Sequence, residues 1–132
     1  MIQQIHHIGI AVKSLAEGSQ LYRALGLEPT APEEVSEQKV MVTMIDVGES
    51  RVELLESTDP QGPVGRFLTK KGEGIHHFAL QVNNLEEALA RLRAQGLDLI
   101  DEVPRPGAHG TRVAFVHPRS AQGVLLELVE VP

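Results

Sequence analysis

Residues 5–27 of this chain are repeated at 75–97, with ten identities in 23 aligned positions. Ile5-His6-His7 returns as Ile75-His76-His77, and Val12, Leu15, Glu17, Arg23, Ala24, Gly26 and Leu27 return as Val82, Leu85, Glu87, Arg93, Ala94, Gly96 and Leu97. Self-similarity of this density at one fixed offset marks an internal duplication. A duplication constrains the fold more than any local propensity, because whatever the first copy forms, the second must form too. It also puts each unusual residue in place twice, which makes a histidine pair a candidate for shared chemistry.

Each copy reads as a strand followed by a helix. Ile8, Ile10 and Val12 alternate with His7, Gly9 and Ala11, and Phe78, Leu80 and Val82 alternate with His77, Ala79 and Gln81. This period of two predicts strands, the bulky set facing a core and the histidine set lining a cleft. His6 and His76 fall on the bulky face and are expected to turn away from that cleft. Ser14-Leu15-Ala16-Glu17 and Asn84-Leu85-Glu86-Glu87 fit the capping-box pattern of a helix start. Leu15, Leu21, Tyr22 and Leu25 form one apolar helical stripe; Leu85, Ala88, Leu89 and Leu92 form the other. Gly26 and Gly96 then terminate the helices.

Strand-like runs follow each helix, at 40–47 and 51–56 in the first half and at 112–117 and 124–131 in the second. Val47-Gly48-Glu49-Ser50 predicts a hairpin turn. Segments 28–39 and 97–104 are expected to hold one further, less regular strand each. The architecture expected is α+β: one domain over 1–132, built from tandem βαβββ modules at about 4–57 and 74–131. The modules form a curved, mixed, eight-stranded sheet around a cleft, with two main helices. The linker, 58–73, carries a short helical stretch at 64–71.

Composition narrows the chemistry. With no cysteine in the chain, a metal here must be bound by nitrogen and oxygen ligands. A formal charge of −6 argues against a nucleic-acid partner, which needs a basic face. No apolar run approaches the roughly 20 residues of a membrane span. The amino terminus lacks the pattern of a signal peptide, so a cytoplasmic location is expected.

The last strands of the two halves extend the repeat. Arg51-Val52-Glu53-Leu54-Leu55-Glu56 lies over Leu125-Leu126-Glu127-Leu128-Val129-Glu130, which makes Glu53 and Glu127 equivalents. Each sits among aliphatic neighbours, where an unpaired charge is costly to bury. With His7 and His77 they compose a set of two histidines and two carboxylates, suited to an octahedral divalent ion with two positions left open. Manganese, cobalt, nickel, iron and zinc are all chemically reasonable. Taken singly, each histidine also reads as a hydrogen-bonded core residue and each glutamate as a solvated one. Glu56 and Glu130, on the opposite strand face, read as solvated edge carboxylates. The loop Pro104–Thr111 around His109 reads equally as a source of substrate-binding amides or as a flexible connection. Arg66, Lys70 and Lys71 read as a solvated helix face.

Several segments together resemble the vicinal oxygen chelate (glyoxalase/dioxygenase) superfamily over nearly the full length. They are His6-His7-Ile8-Gly9-Ile10-Ala11-Val12, Val52-Glu53-Leu54-Leu55-Glu56, Gly65-Arg66-Phe67-Leu68 through Gly74-Ile75-His76-His77, Gly107-Ala108-His109-Gly110, Phe115-Val116-His117-Pro118 and Gly123-Val124-Leu125-Leu126-Glu127-Leu128. Within it the chain is most similar to the methylmalonyl-CoA epimerases. The resemblance implies that His7, Glu53, His77 and Glu127 ligate one divalent metal, Co2+ or Mn2+ first and Ni2+, Zn2+ or Fe2+ as alternatives. It implies an acyl-CoA thioester as substrate, a homodimer, and Glu127 as both ligand and catalytic base. Some members carry a glutamate where Val42 stands here, so the second base is left open. A lactoylglutathione lyase of glyoxalase I type, with an equivalent ligand set, is the alternative activity. A non-catalytic small-molecule-binding member of the superfamily is the third reading.

Overall fold

A computed structural model describes all 132 residues, Met1–Pro132. Its strands are β1 (Ile2–Ala11), β2 (Glu33–Val35), β3 (Val40–Val47), β4 (Ser50–Ser57), β5 (Gly74–Val82), β6 (Arg105–Pro106), β7 (Arg112–Val116) and β8 (Leu126–Glu130). Its α-helices are α1 (Leu15–Gly18), α2 (Gln20–Ala24), α3 (Pro63–Lys71) and α4 (Leu85–Ala94). The strands form one mixed, eight-stranded sheet in the order β2-β3-β4-β1-β5-β8-β7-β6. The expected α+β class with eight strands is therefore what folds. No helix is long and apolar enough to cross a membrane. The chain divides into two compact units, His7–His76 and Met1–His6 with His77–Pro132, so β1 and β5 each contribute to both.

In the unit His7–His76, β1 pairs in parallel with β4, aligning Gly9 with Glu53 and Ile10 with Leu54. Strands β3 and β4 form the expected hairpin, with Met44 opposite Glu53 and Val42 opposite Leu55. Gly48 turns it at φ 59°, a conformation that favours glycine. Because partners across a ladder share a face, His7, Gly9, Glu53, Leu55, Val42 and Met44 lie on one side of the sheet. The other side carries Val12, Leu15, Ile45 and Leu54, joined by Ile10, Tyr22 and Leu27. Burying a side chain such as Leu54 there contributes roughly 1.5–3 kcal/mol.

This half departs from expectation in its helix. The single helix expected after β1 is broken at Ser19, and Leu21 and Leu25 are 62% and 68% exposed. Only Leu15 and Tyr22 of that stripe turn inward. A Cβ on Gly18 would lie 2.9 Å from Val12 Cγ1, so α1 sits close on β1 only because that residue is glycine. The second copy has Ala88 and Leu89 where the first has Gly18 and Ser19, and its helix runs unbroken. Ile8, expected on the core face, is 39% exposed. The helical stretch in the linker forms as α3, with Pro63 in its first turn.

In the other unit, β5 and β8 run parallel with Ala79 opposite Glu127, and β7 pairs antiparallel with β8, setting Phe115 opposite Glu127. The core under α4 is Val82, Leu85, Ala88, Leu89, Ala114, Val116 and Leu128, with Leu80 and Leu92 against it. The strand expected within 97–104 forms later, as Arg105–Pro106 paired with β7, and only Leu99 makes an isolated bridge. The reason lies at Phe115. Its carbonyl accepts from the amides of both Ile100 and Asp101, and its amide donates to the Asp101 carboxylate at 2.9 Å. A side chain thus takes the place of a ladder bond, and regular pairing resumes only at Arg105.

Both helix starts form as read: Ser14 Oγ accepts from Glu17 N at 3.3 Å and Asn84 Oδ1 from Glu87 N at 3.0 Å. Glu56 and Glu130 are not merely solvated edge carboxylates. Each accepts the first helical amide of its own half, from Leu15 and Leu85, at 2.8 Å in both cases. A carboxylate there satisfies an otherwise orphaned donor and complements the positive end of the helix dipole. In the second copy Arg112 hydrogen-bonds both Glu86 and Glu130. That contact pushes the Glu86 carboxyl down to about 2 and holds Glu130 below the ordinary glutamate value of 4.5. Depressed carboxyls stabilise the fold above their unfolded pKa and lose that contribution as pH falls through the folded one. Arg112→Gln should therefore melt a few degrees below wild type at neutral pH. The gap should close as pH is lowered from 4.5 towards 2. Calorimetric melts across that range check it.

Candidate metal centre

His7 stands on β1 beside Gly9, whose ladder partner on β4 is Glu53. The small neighbour leaves room over the strand, and His7 Nε2 lies 3.3 Å from Glu53 Oε1. Both side chains are buried, at 3% and 8% exposure. Val42 and Met44 flank this pair from β3 and are buried too. The neighbourhood is apolar, so the two groups meet in a poorly solvated environment.

The second half repeats the arrangement. His77 stands on β5 beside Ala79, whose ladder partner is Glu127, and His77 Nε2 lies 3.0 Å from Glu127 Oε1. Both are again buried, at 4% and 5%. The ring of Phe115 meets the His77 imidazole edge-on, with centroids 5.6 Å apart. Phe115 was not among the expected site residues, although its place opposite Glu127 follows from the period-two alternation of β7. It packs against the His77 ring on the side of the sheet that carries Glu127.

Each unit therefore offers one imidazole nitrogen and one carboxylate oxygen as possible metal ligands, His7 with Glu53 and His77 with Glu127. His6 is buried, and His76 packs edge-on against Phe67 of α3 at 5.0 Å.

The Pro104–Thr111 loop is tied down, contrary to a merely flexible connection. Gly107 N donates to Thr111 O, and Thr111 returns bonds from both its amide and its hydroxyl to Ala108 O. A Cβ at Gly107 would meet Thr111 Oγ1 at 2.5 Å and Val113 Cγ1 at 2.8 Å, so the loop closes only around glycine. His109 is held at φ 56°, in the left-handed region that non-glycine residues seldom adopt.

Comparison with known proteins places this geometry. The family model described as Glyoxalase/Bleomycin resistance protein/Dioxygenase superfamily matches residues 6–115. The uncharacterized protein YqjC of Bacillus subtilis is 44% identical, over 98% of this chain and 93% of its own length. The ethylmalonyl-CoA/methylmalonyl-CoA epimerase of Cereibacter sphaeroides is 35% identical, over 99% of this chain and 100% of its own. Among solved structures, a methylmalonyl-CoA epimerase in complex with methylmalonyl-CoA and NH4+ superposes with a TM-score of 0.93. Its identity is 36%, and the match covers 99% of this chain and 96% of that one. The duplicated strand-helix modules, the paired His–Glu contacts and the family match agree: the chain belongs to the Glyoxalase/Bleomycin resistance protein/Dioxygenase superfamily.

Proposed function

We propose that this chain is a methylmalonyl-CoA epimerase in which His7, Glu53, His77 and Glu127 hold one divalent ion and Glu127 doubles as a base. The observation that carries the reading is one buried His–Glu contact per repeat, at 3.3 and 3.0 Å, in a chain similar to such epimerases over nearly its whole length. Burying a carboxylate costs several kcal/mol unless a cation compensates it. Two buried carboxylates beside two imidazoles therefore make a poor stabilising device and a good set of nitrogen and oxygen donors for Co2+ or Mn2+. When bound, a divalent ion supplies positive charge opposite the negative charge that develops on the substrate oxygens.

The chain's own groups do the rest. The hydrogen on the α-carbon lies between a thioester and a carboxylate. Glu127 takes that proton, and the C–H electron pair delocalises into the thioester. Return of a proton to the opposite face gives the other configuration. Val42, which stands where similar epimerases can carry a glutamate, is an apolar wall and supplies no proton. The second donor is thus another group. Phe115 packs against His77, while Val42, Met44 and Leu55 exclude water around Glu53.

The test offers the metal-supplemented protein a single C2 epimer of methylmalonyl-CoA and, separately, the hemithioacetal of methylglyoxal with glutathione. The expected result is epimerisation of the first and no thioester formation from the second. The reverse pattern would assign the site to glyoxalase I chemistry instead.

A further inference from the structure

We infer that Arg105 reads the free carboxylate of the acyl group, so that the site selects malonyl-type thioesters over simple acyl thioesters. This rests on the epimerase reading above. Arg105 lies on β6 opposite Val113, and Val113 packs with Ala79 and Val129. Val113, Val129 and Ala79 share the sheet face that carries Glu127 and His77, because Ala79 is the ladder partner of Glu127 and Val113 that of Val129. The register therefore puts the Arg105 side chain on the same face as the His77–Glu127 pair. Two strand spacings across and two residues along separate the Arg105 and Glu127 Cα atoms by roughly 12 Å. An extended arginine and a glutamate reaching towards each other over that gap leave room for a small acyl group between them.

The guanidinium is held beside a carboxylate of its own loop. Its Nε is buried, sits 3.1 Å from Asp101 Oδ1 and completes no hydrogen bond. Asp101 is itself anchored by accepting the Phe115 amide. An arginine that only orders its own loop would be expected to complete that contact as a hydrogen bond, because a buried unmet donor is costly. The side chain is 34% exposed, open to a ligand yet partly shielded from water. Pro104 and Pro106 bracket the residue and confine its backbone to extended conformations. Positive charge, planar donors and a rigid mount are what recognition of a carboxylate needs. The phosphates of CoA are the other anions on the substrate, but a full pantetheine arm separates them from the thioester. The short distance to Glu127 favours the acyl carboxylate.

The test measures binding of methylmalonyl-CoA and of propionyl-CoA, which lacks the carboxylate, to wild type, Arg105→Gln and Arg105→Lys. Melting curves and metal content are taken alongside. Loss of a charge-assisted hydrogen bond should weaken methylmalonyl-CoA by roughly 10–100-fold in Arg105→Gln and leave propionyl-CoA within about twofold. Arg105→Lys should recover part of the loss, and it supplies the same contrast if the glutamine protein fails to fold. Equal weakening of both thioesters would assign the guanidinium to CoA or to the fold and overturn the inference, as would no change in either. Turnover by wild type is scored separately: binding selectivity without epimerisation would refute the function above and leave the Arg105 assignment standing.

Discussion

Glu127→Gln should lose epimerisation by on the order of 10²–10⁴-fold, the range expected when a general base is removed from an otherwise intact site. The change swaps one carboxylate oxygen for an amide, so it keeps the shape of β8 while removing both the proton acceptor and one anionic donor. Its second consequence separates function from stability. A carboxylate and an imidazole held together out of water are a weak source of stability, because the desolvation cost offsets their attraction. Metal-free Glu127→Gln, or the apolar Glu127→Leu, should melt no lower than metal-free wild type. A structural role for the His77–Glu127 contact predicts the opposite: a lower melting temperature with activity falling only in proportion to the folded fraction. Steady-state assays beside thermal melts of chelator-treated protein distinguish the two.

Chelation should have the next largest effect. Dialysis against a strong chelator should bring turnover to background, and added Co2+ or Mn2+ should restore it. The same ions should raise the melting temperature of wild type, because a ligand that binds only the folded state stabilises it by about 2.7 kcal/mol at a hundredfold excess over its Kd. For a domain of this size that is a shift of roughly 10 °C. His7→Ala should lose most of this shift, since one of the two imidazoles is gone. A wild-type response in His7→Ala would place the ion elsewhere. Full activity after chelation would remove the metal from the account.

Much of the fold was legible because the duplication supplied every signal twice. The period-two alternation around His7 and His77, the caps at Ser14 and Asn84 and the hairpin at Gly48 are local features, and they form as read. The pairing of each histidine with a glutamate was legible for the same reason, since the offset alignment set Glu53 and Glu127 in equivalent places. What escaped depends on packing. Gly18 lets α1 lie against Val12, and the first helix is interrupted at Ser19, neither of which apolar periodicity encodes. Leu21 and Leu25 face outward, like their counterparts Arg91 and Gln95 in the second copy. Glu56 and Glu130 looked like solvated residues because their partners, the Leu15 and Leu85 amides, are 41 and 45 residues away in sequence. Arg105 was missed because its strand forms only after Asp101 has claimed the Phe115 amide, a tertiary event.

Proton removal from the α-carbon by Glu127, within a site built from His7, Glu53, His77 and Glu127, can be followed by isotope exchange. Methylmalonyl-CoA is incubated in deuterated buffer with metal-loaded wild type, metal-stripped wild type, His7→Ala and Glu127→Gln, and deuterium at the α-carbon is followed by mass spectrometry. Rapid incorporation is expected from loaded wild type alone, with exchange near the uncatalysed rate in the other three. Incorporation at the wild-type rate by Glu127→Gln or by metal-stripped protein would contradict this expectation.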